Sequence, residues 1–390
     1  MGYEGDMSVR KRTWTTSKGE QKEAWIVDYS DQSGARHLKT FDRKKDADGY
    51  AATVRVEIRA GVHTSSKATV AGAGKHWIDS CKANGLEAST IESYQQHLDD
   101  HIVPYIGAVK LSQLTVPGVR HFMDRLRADG RSPAMMKRVV GDLGSIVSDA
   151  QERGHVAQNV VRSLSKRRKR REAERRKKGK LKVGVDIPTP AEIKAIVAKL
   201  QGRWRPLLLT AIFAGLRASE IRGLRWEDVD LRHGKLHVRQ RADKFKAIGK
   251  PKSAAGERSL PIPPILVNAL REWKLACPKS ELGLAFPTGA GGIEYHSNIV
   301  TRGLAPVQVT AGVVAKDGTA KYTGLHALRH FYASWCINRK EDGGLGLLPK
   351  RVQERMGHSS ITVTMDTYGH LFPSGDDGAE LAEAERALLG

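Results

Sequence analysis

The second half of this 390-residue chain carries two arginines, a lysine, several histidines and a tyrosine in contexts that a plain hydrophobic core does not explain. Residues 206–226 read PLLLTAIFAGLRASEIRGLRW and set Arg217 among Leu216, Ile221 and Leu224. A guanidinium there is costly unless it is paired or held for a ligand. Glu220, three residues on, is the local partner, and a structural Arg–Glu pair reads this stretch equally well on its own. Residues 325–336, LHALRHFYASWC, place Leu325, Leu328, Tyr332 and Trp335 on one helical face and His326, Arg329 and His330 on another. Histidines at i and i+4 can hold a metal, but the zincin pattern needs Glu where Ala327 stands. No third ligand lies near in sequence and Arg329 would repel a cation, so no metal is expected. Arginine and histidine on one face instead suit an anion with charge spread over several oxygens. Between these motifs, Leu236 and Val238, then Leu260 and Ile262, read as strands of a hairpin reaching toward a ligand through a Lys-, Gly- and Ala-rich excursion. Lys252 is the best-placed lysine there, with Lys250 and Lys246 as competitors. Residues 356–372, MGHSSITVTMDTYGHLF, are polar, lack a hydrophobic period and carry His358, Tyr368 and His370. Taken alone, Tyr368 reads as a partly buried aromatic whose hydroxyl finds a hydrogen bond.

Charge narrows the partner. The chain has 65 Lys+Arg against 43 Asp+Glu, a formal net charge of +22, with a sequence pI near 9.9. That excess points to a polyanion, nucleic acid before an anionic membrane. No run of 18 apolar residues offers a membrane span. The N-terminal MGYEGDMSVRKR lacks the apolar core of a signal peptide. Three scattered cysteines, Cys81, Cys277 and Cys336, suggest reduced thiols, and a cytoplasmic location is expected.

Three units must position these residues. In residues 1–64, EAWIVDYSD alternates as a half-buried strand, Gly34 supplies a turn, and RHLKTF returns as a second strand. Ala47, Tyr50, Ala51, Val54 and Ile58 then recur at helical spacing up to a stop at Gly61. Residues 68–162 read as a helical bundle. Ser89 with Glu92 has a capping-box signature, Ile91, Tyr94, Leu98 and Ile102 continue one face, and Pro104 and Gly107 end that helix. Val119, Phe122, Met123 and Leu126 mark a helix closed by Asp129-Gly130, and Ser132-Pro133 opens another. The unit at 187–390 begins with Thr189 as N-cap, Pro190 in the first turn and Glu192 completing the box. The fold class expected is mainly α with small β-sheets: a sheet-plus-helix domain, a helical bundle and a mixed α/β domain.

A linker at 163–186 holds SKRRKRREAERRKKGKLK, residues 165–182, with twelve Lys or Arg. It reads as solvated charge, partly helical. Arg167, Arg168, Lys169, Arg170 and Arg171 would also neutralise DNA phosphates by releasing counterions.

Taken in order, AGLRASEI, PKSAAGERSLPI, HALRH, MGHSS and the tyrosine of TYGH make the chain resemble the tyrosine recombinase (phage integrase) family. The resemblance covers the whole C-terminal unit. It implies that Arg217 and Arg329 grip a scissile phosphate, with His326 and His358 hydrogen-bonding its oxygens and His326 helping to take the tyrosine proton. Tyr368 would be the nucleophile, forming a 3′-phosphotyrosyl link, and Lys252 would protonate the 5′ leaving oxygen. Glu220 and His330 would support the site. No cofactor, metal or ATP is implied. The two N-terminal units look like arm-binding and core-binding domains of integrases with two DNA-site types. The implied partners are double-stranded DNA attachment sites, a homo-tetramer on DNA, a DNA-bending protein and an excisionase. Rival readings are a catalytically inactive DNA-binding regulator, a type IB topoisomerase-like enzyme, and a ribonuclease built on His326 and His330.

Overall fold

The computed structural model describes residues 7–17, 19–30, 36–59, 68–156, 158–166, 180–373 and 377–390. The chain divides into two units, Met1–Arg176 and Lys177–Gly390. The first strand of the first unit, β1 (Met7–Thr15), pairs antiparallel with β2 (Gln21–Ser30), which pairs with β3 (Arg36–Phe41). Strands β2 and β3 fall where the alternation predicts them. Strand β1 does not announce itself, because its RKR centre carries charge rather than apolar alternation. Helix α1 (Lys44–Arg59) buries Ala47, Ala51 and Val54 with Val27 and Tyr29 of β2. Asp28 on β2 is held by Arg36 at 2.9 and 2.6 Å. The turn expected at Gly34 and the stop at Gly61 lie outside the described residues.

The bundle of the same unit comprises α2 (Val70–Ala83), α3 (Ala88–His97), α4 (Val116–Ala128), α5 (Pro133–Glu152) and α6 (Val160–Lys166). Trp77, Leu98, Phe122, Leu126, Leu143 and Ile146 belong to one core. Side-chain caps from Thr69, Thr115 and Ser132 open α2, α4 and α5. Two expectations need correction. Ser89 is not an N-cap: the cap position is Glu87, two residues earlier, and it makes no side-chain cap. Pro104 does not end the helix: the path runs on through a π-turn at Leu98–Ile102 into Val103–Ile106, with Pro104 at the start of that last segment.

The second unit opens with α7 (Pro190–Lys199), whose capping box between Thr189 and Glu192 is complete. Helices α8 (Trp204–Ala214) and α9 (Ala218–Gly223) follow. Strands β4 (Val229–Asp230), β5 (Lys235–Val238) and β8 (Arg258–Pro261) form an antiparallel sheet in the order β4-β5-β8, with Leu236 facing Leu260. The excursion between β5 and β8 folds back as a small hairpin of β6 (Arg241–Ala242) and β7 (Ile248–Gly249). Then come α10 (Pro264–Ala276), α11 (Leu325–Ile337), α12 (Pro349–Met356), α13 (Ile361–Tyr368) and α14 (Asp377–Leu389). Helix α8 is apolar from Pro206 to Ala214 apart from Thr210 and sits in the core with Leu236, Leu260, Leu266 and Leu328. The architecture is mainly helical with small antiparallel sheets, as expected from the sequence. Among the described residues no helix is long and apolar enough to cross a membrane.

Candidate active site

Glycine ends two helices and thereby aims two carbonyls at one side chain. Gly215 closes α8 at φ 59° and Gly357 closes α12 at φ 61°, the left-handed conformation that a helix C-terminus favours and a side chain opposes. Arg329, on α11, donates Nη1 to the Gly215 carbonyl and Nη2 to the Met356 carbonyl. It is 2% exposed. Burial pulls its guanidinium down to about 9, which leaves it charged at neutral pH.

Arg217, the residue before α9, donates Nη1 to Glu220 Oε1 at 2.7 Å and Nη2 to the Gly357 carbonyl at 3.0 Å. Its backbone N–H also reaches Glu220 Oε2 at 2.9 Å, so this carboxylate fixes both the main chain and the side chain of Arg217. A third arginine, which the sequence motifs do not single out, completes the arrangement. Arg258 of β8 donates Nη2 to Glu220 Oε2 at 2.9 Å and Nη1 to Oε1 at 3.2 Å. Its Nε donates to the Arg355 carbonyl at 2.8 Å. Burial raises the Glu220 carboxyl, but Arg258, helped by Arg329 and Arg217, overrides that and holds it at about 2. Two guanidiniums bond this one carboxylate and the charge of a third, Arg329, also acts on it, leaving a net positive site suited to an anion.

Tyr368 ends α13 with its side chain buried, although the surrounding segment is polar. Its hydroxyl lies 2.7 Å from His330 Nδ1. The ring stacks on His358 with centroids 6.3 Å apart and planes at 7°. His358 Nδ1 meets Thr364 Oγ1 at 2.9 Å, which sets that imidazole from within α13 itself. Burial lifts the tyrosine hydroxyl to about 12 against the pull of Arg329 and Arg217. Burial also drops His330 and His358 to about 4, so both are neutral at pH 7. His326 stands edge-on to His330 at 4.6 Å. Desolvation by surrounding atoms and the Arg329 and Arg217 charges hold it below the usual range, although part of its surface stays open to solvent.

Arg217 pairs with Glu220, Tyr368 contacts His330 and lies beside His358, and the charges of Arg217 and Arg329 act on Glu220 and Tyr368 alike, so these residues share one site, with His326 beside His330. Lys252 is exposed on the segment between β7 and β8. Of its competitors, Lys246 sits in the β6–β7 turn at φ 66° with Nζ 3.9 Å from the Tyr295 ring centroid. The Lys250 carbonyl accepts from Arg241 Nε at 3.1 Å. Arg167, Arg168, Lys169, Arg170 and Arg171 lie outside the described residues.

Comparison with known proteins supplies context for this geometry. Residues 188–374 match the phage integrase family, and residues 74–127 match the phage integrase N-terminal SAM-like domain. A tyrosine recombinase XerC-like protein of Caldanaerobacter subterraneus is 26% identical over 394 residues, spanning 94% of this chain and 96% of that relative. A tyrosine recombinase XerC of Xylella fastidiosa is 29% identical over 296 residues, spanning 74% and 87%. The Tn1549 transposon integrase, solved with transposon right-end DNA, aligns at TM-score 0.64 and 18% identity, covering 82% of this chain and all of that one. A lambda integrase dimer bound to a core site aligns at TM-score 0.55 and 15% identity, covering 93% and 97%. At such identities the solved structures establish a shared fold.

Proposed function

The chain belongs to the phage integrase family of tyrosine recombinases, and on that premise we propose that Tyr368 is the nucleophile with which it cuts and rejoins DNA. It is a site-specific DNA recombinase that breaks and reseals strands through a covalent protein–DNA intermediate. The observation that carries the residue assignment is the buried Tyr368 hydroxyl in the same site as the Arg217 and Arg329 guanidiniums. A phosphodiester resists attack because its oxygens are already charged and gain more charge in the transition state. Arg217 and Arg329, fixed before the DNA arrives, stabilise that charge without reorganising. His326 and His358 hydrogen-bond the same phosphate. Attack by Tyr368 Oη leaves a 3′-phosphotyrosyl link and a 5′-hydroxyl, whose oxygen takes a proton from Lys252. Because the link keeps the phosphodiester's energy, the 5′-hydroxyl of another strand can reverse the step and exchange partners.

The substrate is double-stranded attachment-site DNA of a mobile element, acted on by four copies of the chain. The charge of +22 supports a DNA partner. In this reading the sheet-plus-helix segment at 1–64 binds arm sites, the bundle at 68–162 holds the core site, and the basic 163–186 segment crosses the duplex, with Arg167 to Arg171 on phosphates. A DNA-bending protein and an excisionase are its proposed helpers, in a cytoplasm.

The test is a nicked suicide duplex carrying the element's end, incubated with the protein and run on a denaturing gel. Wild type should give a covalent adduct, and Tyr368→Phe should bind the same duplex with no adduct. An adduct formed by Tyr368→Phe at the wild-type rate would sink the assignment.

A further inference from the structure

Among the described residues the tyrosine hydroxyl has one side-chain partner, and it is not the histidine that the family resemblance nominates. His330 Nδ1 lies 2.7 Å from Tyr368 Oη. Among the described residues His326 makes no hydrogen bond, and it meets the tyrosine only through His330, whose ring it faces edge-on at 4.6 Å. The His358 ring lies parallel to the Tyr368 ring with centroids 6.3 Å apart, and its own Nδ1 is taken by Thr364. We propose that His330 is a catalytic residue, the base that accepts the Tyr368 proton during strand cleavage and returns it during rejoining. This rests on Tyr368 being the nucleophile.

The chemistry closes. As the Oη–P bond forms, the Oη–H bond breaks and its proton moves to His330 Nδ1. The P–O5′ bond breaks, and the O5′ oxygen takes a proton from Lys252 Nζ. Rejoining runs both transfers backward, so no external acid, base or oxidant is consumed. A base must be unprotonated before the reaction, and His330 meets that need because burial, His326 and Arg329 all disfavour its cation. With Tyr368 donating, the neutral ring carries its own proton on Nε2. His326 and Arg329 disfavour the imidazolium, the Asp186 carboxylate opposes them, and Tyr368 meets the ring through its hydroxyl. A bound phosphate adds negative charge to that set and favours the imidazolium at the moment it must form. Helix α11 makes the arrangement rigid: Arg329 and His330 are successive residues, so the phosphate grip and the base share one backbone.

The experiment measures single-turnover cleavage of two suicide duplexes built from the element's end, one with the natural phosphodiester and one with a 5′-bridging sulfur at the scissile position. A thiolate leaves without a general acid, so Lys252→Ala should recover on the sulfur substrate. His330→Gln keeps a hydrogen-bonding group against Tyr368 but takes no proton. It should lose on the order of 10²-fold or more in rate on both substrates, with DNA affinity and melting temperature unchanged. Its residual rate should rise with pH, as solvent removes the tyrosine proton. His330→Gln cleaving within about threefold of wild type would show that the contact only positions the tyrosine, and would overturn the proposal. Recovery of His330→Gln on the sulfur substrate would overturn it too, by placing His330 on the leaving-group side. Tyr368→Phe is the control that separates the two levels of inference: an adduct there removes the nucleophile itself, whereas a silent control with an active His330→Gln removes only the base.

Discussion

The perturbation that should reveal most about how the site is built is Glu220→Gln, which changes one buried oxygen to an amide and leaves the shape alone. Glu220 is 2% exposed and sits between Arg217 and Arg258, whose side chain is 6% exposed. Its carboxyl falls from the ordinary 4.5 to about 2 in the folded chain. That lowering corresponds to about 3 kcal/mol of stability from ionised Glu220. The sign follows from the direction. The unfolded chain binds this proton more readily, so the contribution is fully present above about pH 4.5 and disappears as pH falls toward 2. Removing one partner of a buried ion pair costs about 3–5 kcal/mol by general experience, which agrees with that figure. In a unit of this size about 3 kcal/mol corresponds to a drop of roughly 6–12 °C in melting temperature. The assay is thermal unfolding of wild type and Glu220→Gln at neutral pH, repeated between pH 5 and pH 3. Wild type should lose its advantage steadily across that window. A variant that melts within about 2 °C of wild type at neutral pH would refute the claim that this carboxylate organises the arginines. So would parallel pH curves.

Other outcomes follow from other parts of the molecule. Gly215→Ala should destabilise by about 2–4 kcal/mol in thermal unfolding, because the residue sits at φ 59° and a Cβ there would stand 2.2 Å from Tyr332 Cδ1. DNA affinity should fall steeply with salt, and replacing the five basic residues Arg167 to Arg171 by Gln should lower the slope of log K against log salt by about one for each phosphate that is no longer neutralised. An unchanged slope in a filter-binding titration would remove that segment from the DNA interface.

Much of this site is legible in the sequence because its residues break local rules. Arg217 stands out as a charge in an apolar run, and Glu220 at three residues' distance is the partner found at 2.7 Å. The His326, Arg329 and His330 face survives folding because a single regular helix carries it. Arg258 is invisible by the same logic. In GERSLPI it reads as an ordinary strand residue, and nothing local points its side chain at a carboxylate 38 positions away. Helix α13 hides for a related reason: of ITVTMDTY only Thr364 and Tyr368 are buried, too few to leave a stripe. Strand β1 is masked by its basic residues, since pairing with β2 uses main-chain groups that side-chain patterns do not report. Ser89 shows the opposite failure, a capping signature that falls at the second residue of the helix it should open.

The two carbonyls that Arg329 collects have a consequence for descendants of this protein. They belong to the ends of helices far apart in sequence, and one guanidinium clasps both. A lineage that abandoned DNA cutting would be free to replace Tyr368 by phenylalanine, which removes a hydroxyl and keeps the buried ring, long before it could discard Arg329, whose loss unfastens two helix termini. A gene retaining this arginine without its tyrosine would then be the relic of an architecture and would say nothing about surviving activity.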